Sequence, residues 1–497
     1  MHSVLHIIVD DLRPELGAYG LPNRHTPNLD RLADVGTVFD RAYAQQAVCG
    51  PSRNSFLTGR RPDRSRSWNF INHFREDHPE WTTLPGLFLA AGGEALGAGK
   101  AFHPKLPPAY DGNRSWSAAA LPYRNPCWNT ADDPTASFQD GGLPCVPCAI
   151  DVEARLFHNG NVSIANEFCE TDAFEDALTV DDALALLRGA HARGAHFYLA
   201  VGLHKPHMPW QAGPADFALH PLESVDLPAH PLPPSDAPPL AYHFTDGHVH
   251  ASWQQPVADA DARAARRAYR AATTGMDRKV GRLLDELDAL GIENSTAVVA
   301  HSDHGWHLGE HNMWRKMSNF EAALRVPLII RAPWLPRRTP RSAAIVELVD
   351  VLPTIAALAG LTLPVNESFD GVSRVPLLLG DESDDDAAAF SQYPRRVKDV
   401  ANPWKENSIV HHNRSEFTHM GYSVRTAEWR LTVWVVWDGT RLAPIWSNVT
   451  ATELYDHRGA APYPTDFDAS ENENVAANAS HAAVIAELGA RLRAMFP

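Results

Sequence analysis

Val4-Leu5-His6-Ile7-Ile8-Val9-Asp10-Asp11 is a short apolar run that stops at two carboxylates. A run of this length without polar alternation marks a strand buried on both faces, as in a parallel sheet. The pattern recurs at His196-Phe197-Tyr198-Leu199-Ala200-Val201, Ala297-Val298-Val299-Ala300-His301 and Val326-Pro327-Leu328-Ile329-Ile330, and more weakly over residues 92–99, which lead to Lys100. Helical patterns lie between these runs. Thr26-Pro27 opens one whose face is Leu29, Leu32 and Ala33 and whose stop is Gly36. Residues 181–193 form another. Residues 263–290 form a long amphipathic helix with Val280, Leu283, Leu284 and Leu287 on one face. Strands alternating with helices predict an α/β domain, a large and mostly parallel sheet sandwiched by helices. Two proline-rich stretches, 104–170 and 206–256, are expected as loop excursions.

The composition shifts at Gly380-Asp381-Glu382-Ser383-Asp384-Asp385-Asp386, an acidic run of the kind found in solvated linkers. Beyond it, residues 421–425, 429–437 and 452–455 carry strand patterns and 482–495 a helical one. The expected organisation is a catalytic domain over 1–380 and a smaller α+β domain with an antiparallel sheet over 381–497. No internal repeat is present.

The 497 residues carry a formal net charge of −16 and are 44% hydrophobic and 21% charged. That charge excludes nucleic acid as a partner, and no apolar run is long enough for a transmembrane segment. An anionic substrate would need a local basic pocket working against the overall field. Four of the five cysteines, Cys127, Cys145, Cys148 and Cys169, fall in one excursion. One or two disulfides are expected among them, with pairing open, because the zinc pattern of two spaced pairs is missing. Seven Asn-x-Ser/Thr sequons begin at Asn113, Asn161, Asn294, Asn366, Asn413, Asn448 and Asn478, as in a glycoprotein on the secretory route. The N-terminus carries no signal-peptide pattern, so the expectation is a leader missing from this sequence and a lysosomal or extracellular location, with the cytoplasm as the alternative.

Three of the strands end in polar clusters: Asp10-Asp11, His204-Lys205-Pro206-His207 and Ser302-Asp303-His304-Gly305. Each alone has a plain reading as turn or loop residues. Ligands of open α/β sheets bind beyond the carboxyl ends of the strands, where these clusters would meet. Asp10, Asp11 and Asp303 together make a hard oxygen site suited to Ca²⁺ or Mg²⁺, and without a cation they would repel one another. Cys49-Gly50-Pro51-Ser52-Arg53 cannot lie inside a helix, because glycine and proline break the pattern; it opens a turn into one. Its plain reading is a buried free thiol. Arg53, Lys100 and Lys316 are candidates for fixed positive charge, and His103 and His207 for proton transfer to a leaving alcohol.

Cys49-x-Pro51-x-Arg53, followed by Leu57-Thr58-Gly59-Arg60, resembles the signature of type I sulfatases of the alkaline phosphatase superfamily. The resemblance extends over nearly the whole chain. Its further anchors are Val9-Asp10-Asp11-Leu12-Arg13-Pro14, Gly99-Lys100-Ala101-Phe102-His103-Pro104, His204-Lys205-Pro206-His207-Met208-Pro209, the stretch from Ser302 to His311, Trp314-Arg315-Lys316-Met317-Ser318-Asn319-Phe320, Ser391-Gln392-Tyr393-Pro394-Arg395 and Met420-Gly421-Tyr422-Ser423-Val424-Arg425-Thr426. Within the family the chain is most similar to the iduronate 2-sulfatase branch.

The resemblance implies an alkaline phosphatase-like fold and a formylglycine derived from Cys49 by a formylglycine-generating enzyme. It implies Ca²⁺ (or Mg²⁺) held by Asp10, Asp11, Asp303, His304 and the modified Cys49. Arg53 would position the formylglycine, and Lys100, His207 and Lys316 would bind the sulfate and leaving oxygen. Most arylsulfatases have Asn where this chain has His304; His is the variant of the iduronate branch. The implied reaction is hydrolysis of a sulfate monoester, with a sulfated uronic acid or other glycan as substrate. An algal or marine polysaccharide sulfate and a small sulfated metabolite are alternatives. Two rivals are a phosphoesterase of the same superfamily, which would use Ser or Thr and two zinc ions, and an unmodified, non-catalytic binder of sulfated glycans.

Overall fold

The computed structural model describes the chain apart from residues 118–164, 168–174, 209, 243–255, 337–338, 382–386, 398–408 and 460–470. The cysteines expected to form disulfides lie outside the described residues, as do the sequon at Asn161 and most of the acidic run after Gly380 and of the first excursion.

The larger sheet has seven strands: β1 (Ser3–Val9), β2 (Thr37–Tyr43), β3 (Glu94–Gly99), β4 (Phe197–Leu203), β5 (Thr296–Ser302), β6 (Arg325–Arg331) and β7 (Arg341–Glu347), in the order β7-β2-β6-β5-β1-β4-β3. Strand β1 pairs in parallel with both β4 and β5, and β3 pairs in parallel with β4. The sheet is mostly parallel, as expected; the exception is β6, which runs antiparallel to both its neighbours. The reversal brings the segment before Arg325 to the same edge as the carboxyl ends of β1, β3, β4 and β5.

Alternation along β1 divides the core. Val4 and Ile8 face one layer with Phe56 and Leu352, whereas Leu5, Ile7 and Val9 face the other with Leu29, Val180 and Leu283. The second layer is covered by α1 (Pro27–Val35), α3 (Glu175–Ala192) and α4 (Asp259–Ala289), and the first by α2 (Cys49–Thr58) and α5 (Val351–Ala359). Both long helices begin before the positions their apolar pattern suggested. Asp259 and Asp261 at one start and Glu175 and Asp176 at the other favour the positive helix terminus without contributing to an apolar stripe.

A polar chain crosses the sheet beneath its carboxyl edge. His301 Nδ1 lies 2.7 Å from the Ser302 carbonyl, His6 Nε2 2.7 Å from His301 Nε2, and Tyr198 Oη 2.7 Å from His6 Nδ1. A carbonyl only accepts, so the tautomers follow: Tyr198 donates to His6, His6 to His301, and His301 to Ser302. Every polar atom of the chain is satisfied with both imidazoles neutral, and burial lowers both from the ordinary imidazole range.

Residues after 386 form an antiparallel sheet of β8 (Ala389–Arg395), β9 (His419–Arg425), β10 (Trp429–Asp438) and β11 (Ala443–Asp456), paired in that order. Helix α6 (Ala482–Met495) packs on it through Leu488 and Leu492. The core of this sheet also takes in Val48, Trp68 and Met317, which precede it in the chain. No helix among the described residues is long and apolar enough to cross a membrane.

Candidate active site

The carboxyl ends of β1, β3, β4 and β5 and the head of α2 converge on one point. Backbone constraints explain how. Gly99 has φ +69°, and a Cβ there would lie 2.3 Å from the Gly202 carbonyl oxygen; a Cβ on Gly202 would lie 2.0 Å from the Lys100 carbonyl carbon. Two glycines therefore let β3 and β4 close at their ends and set Lys100 at the edge. Asp176, in the first turn of α3, accepts the backbone N–H groups of His204 (2.6 Å) and Lys205 (2.9 Å) and ties down the end of β4. Asp11 has φ +60°, a left-handed conformation that turns the chain out of β1 and directs successive carboxylates into the site.

Cys49 is the first residue of α2 and is 1% exposed. Its Sγ lies 2.8 Å from Lys316 Nζ, 3.7 Å from Lys100 Nζ, 3.3 Å from Asp10 Oδ1 and 3.4 Å from His304 Nε2. Lys100 also pairs with Asp10, and Lys316 Nζ lies 2.6 Å from Asp11 Oδ1. Arg53, one turn along α2, reaches Asp303 Oδ2 at 2.9 Å and Asp10 Oδ1 at 3.4 Å, and donates to the Lys100 carbonyl. Asp303 Oδ1 accepts from the backbone N–H of His304 (2.9 Å) and of Asp11 (3.2 Å).

Three carboxylates and three cations are thus buried in one place. Desolvating so many charges costs more than a structural role returns. The electrostatics are those of a site built around charge. Burial would raise the Asp10 carboxyl, but Lys100 and Arg53 outweigh it and hold Asp10 well below the usual range. Burial pushes Asp11 up to about 6, against Lys316, and Asp303 up to about 8, against Arg53. Burial, and then the charge of Asp10, push the Cys49 thiol up to about 12, so an unmodified Cys49 is a neutral thiol and a poor nucleophile.

Asp10, Asp11, Cys49 and His304 each offer a ligand atom within 4.8 Å of the others. Asp11 Oδ2 is buried with no hydrogen-bond partner. His304 Nδ1 lies 3.0 Å from the Gly305 carbonyl, to which it donates, leaving the Nε2 lone pair toward Asp11 Oδ1 at 3.5 Å. Burial, with Lys316, keeps this imidazole neutral. The carboxylates fit a hard divalent cation. The sulfur fits one only after its replacement by oxygen, and the imidazole is a less usual partner for calcium. Asp303 stands behind these four, its oxygens already engaged by Arg53 and two backbone N–H groups.

The two histidines proposed for proton transfer stand differently. His207 Nε2 is 3.9 Å from Asp11 Oδ2, and its Nδ1 lies 2.6 Å from the Met208 carbonyl. His103 stands further out, stacked on Phe70 with ring centroids 4.2 Å apart and its Nδ1 3.0 Å from the Pro104 carbonyl. Burial, and then Lys100, hold both well below the imidazole range. Sequence reasoning missed three contributors. His204 Nδ1 lies 3.7 Å from Asp10 Oδ2, Ser302 Oγ accepts the Leu12 N–H at 2.9 Å, and Tyr269 contacts the backbone at Asp11 and Arg13. His204 and Ser302 left a signal, their place at strand ends, which assigns them no role; Tyr269 left none.

The model of a family described as sulfatase matches residues 2–361, well over half of the chain. Iduronate 2-sulfatase from Mus musculus is 32% identical over 98% of this chain and 93% of that protein, and iduronate 2-sulfatase from Homo sapiens is 33% identical over 91% and 88%. Among solved structures, a phosphonate monoester hydrolase of Agrobacterium radiobacter superimposes with a TM-score of 0.72 over 100% of this chain and 96% of that one, at 21% identity. At that identity the likeness speaks for the fold alone.

Proposed function

The chain belongs to the sulfatase family and is a sulfuric ester hydrolase, and from that premise we propose that it works through a formylglycine made from Cys49, with a calcium ion beside it. The observation that carries this reading is the setting of Cys49: a buried thiol too basic to ionise, at the head of a helix, between the ammonium groups of Lys100 and Lys316. As a thiol it is inert. As a hydrated aldehyde it presents two hydroxyls where those lysines converge.

Asp10, Asp11 and His304, with the modified Cys49, would hold the cation, and Asp303 would complete or orient the set. When bound, the cation supplies Lewis-acid polarisation and a template for oxygen atoms. The chain's own groups do the rest. Lys100, Lys316 and Arg53 offset the negative charge of the sulfuryl group as it transfers. One aldehyde-hydrate oxygen forms a bond to sulfur as the ester S–O bond breaks. The leaving alkoxide takes a proton from Lys316, which stays an ammonium beside Asp11. His207 and His103, proposed from sequence as donors, are neutral with Nδ1–H fixed on carbonyls and present an Nε2 lone pair, so they serve as proton acceptors instead. The second hydroxyl then gives its proton to the Nε2 lone pair of His207, the C–O bond to sulfate breaks, and the aldehyde re-forms.

For substrate we propose a 2-sulfated uronic acid of a glycosaminoglycan. The support is the identity to iduronate 2-sulfatases across nearly the whole chain, together with His304, which the family resemblance implies is the variant of the iduronate branch. We further propose the secretory route and a formylglycine-generating enzyme as partner. Asn113, Asn294, Asn366, Asn413, Asn448 and Asn478 are all exposed, as sequons used on that route must be. Mass spectrometry of the peptide containing Cys49 tests the nucleophile, the expected mass being that of an aldehyde in place of the thiol. An intact thiol in fully active protein overturns the reading. Sulfate release from a 2-O-sulfated iduronyl disaccharide, compared with a 6-O-sulfated glucosamine, tests the substrate.

A further inference from the structure

Lys316 sits on a strained piece of backbone. Arg315 and Met317, its two neighbours, both have φ +74°, in the left-handed region that costs a non-glycine residue free energy. Such a conformation persists only when the surroundings impose it. Two hydrogen bonds on Met317 do so. Its N–H donates to the Ala47 carbonyl at 3.2 Å, in the loop leading into Cys49, and its carbonyl accepts from Arg395 Nη1 at 3.0 Å.

Arg395 is the last residue of β8, in the other sheet, and is 6% exposed. Its guanidinium lies over the Tyr393 ring at 4.4 Å and the Trp434 ring at 5.2 Å. Besides Met317, it donates through Nε to the Leu240 carbonyl at 3.0 Å and through Nη2 to the Ala241 carbonyl at 3.3 Å. One planar group thus fastens three separate segments: the second sheet, the turn at Pro239–Ala241, and the backbone that carries Lys316. A planar fork with several fixed donors can do this; a lysine ammonium can satisfy only part of it.

We propose that Arg395 is a positioning residue for Lys316, so that the C-terminal sheet completes the active site by fixing an ammonium group against Cys49. The proposal rests on the reading of Lys316 as a sulfate-binding group. Misplacement of a catalytic group by about 1 Å costs on the order of 100-fold in rate.

The experiment compares Arg395→Met, Arg395→Lys and Leu431→Ala in the full chain. Leu431 is fully buried in the core of the same sheet and serves as a control for simple destabilisation. Kinetics with an aryl sulfate are measured well below each unfolding midpoint, alongside hydrogen exchange of the peptide spanning residues 313–319. The expected result for Arg395→Met is a kcat lower by roughly 30- to 100-fold, with faster exchange in that peptide. Arg395→Lys recovers part of the rate. Leu431→Ala lowers the midpoint but leaves kcat within about threefold and exchange at 313–319 unchanged. A kcat for Arg395→Met within about threefold of wild type, or equal losses in Leu431→Ala, overturns the proposal. Wild-type protein inactive on sulfate esters would sink the reading of the site, while the exchange comparison would still decide whether Arg395 holds the segment.

Discussion

Tyr269 is buried in α4, and its hydroxyl serves the backbone on both sides of Leu12. It donates to the Asp11 carbonyl at 2.8 Å and accepts the Arg13 N–H at 3.0 Å, holding the left-handed turn at Asp11. Tyr269→Phe removes both bonds and should cost about 1–3 kcal/mol, since it strands buried backbone groups. A calcium titration of the purified protein should show affinity several-fold weaker, with the fold retained by circular dichroism. Cys49→Ser places one hydroxyl where the mechanism needs two. It should accept sulfate and keep it, and intact mass spectrometry after incubation with substrate should show the sulfated chain; sustained turnover would disprove the mechanism. Lys316 and His103 carry no mark of their place in the sequence, but Asp10, Asp11, Cys49 and Asp303 could be singled out there because strand ends and breaker residues announce them. Tyr269 could not, because an aromatic inside an amphipathic helix has the pattern of any core residue. Its partner is 258 positions away.

The close approach of β3 and β4 makes Gly202→Ala a sharp test of how elements set the site. The added Cβ would meet the Lys100 backbone, so the strand ends must part and Lys100 must shift. Aryl-sulfate turnover should fall at least tenfold, beyond what the loss of stability explains. In β11, Glu453 accepts from Trp434 Nε1 at 2.6 Å and Tyr455 Oη at 2.7 Å, yet burial raises its carboxyl to about 7. A raised carboxyl contributes stability that is complete below the unfolded value near 4.5 and is lost as pH rises through 7. Glu453→Gln removes that dependence. Its midpoint relative to wild type should climb from pH 4.5 to 7 and then level off, by an amount on the order of 3 kcal/mol in stability. Which elements could be read from sequence follows from the same physics. Strands β1, β4 and β5 are buried on both faces and read as apolar runs. Strand β2 did not, because Asp40 and Arg41 interrupt it. Their charges are met only in three dimensions, Asp40 by Arg341 at 2.5 Å and Arg41 by the Ala343 carbonyl at 2.5 Å. The reversed direction of β6 leaves no mark in its composition.

The chain carries a net charge of −16 yet gathers Arg53, Lys100 and Lys316 into one buried cluster. The sequence called for such a pocket, because an anion must be held against the overall field; its location came from the topology. With three carboxylates in that cluster, the proposed cation would link folding to its own binding. Removal of divalent ions with a chelator should lower the unfolding midpoint, and calcium should restore it. A concentration 100 times the dissociation constant contributes about 2.7 kcal/mol. An unchanged midpoint with and without chelator would count against a resident ion.

The depth of Cys49 bears on how the protein is made. The side chain is 1% exposed at the head of a helix whose ten residues are all buried. The maturation enzyme proposed above could not engage a thiol so enclosed without unravelling α2 and the strand ends around it. The proposed conversion of Cys49 would therefore have to take place on the nascent or still-extended polypeptide, before the sheet closes. On that proposal a molecule that folds first would be locked out of catalysis for the rest of its life, and the active fraction of a preparation would record a race between two processes during synthesis.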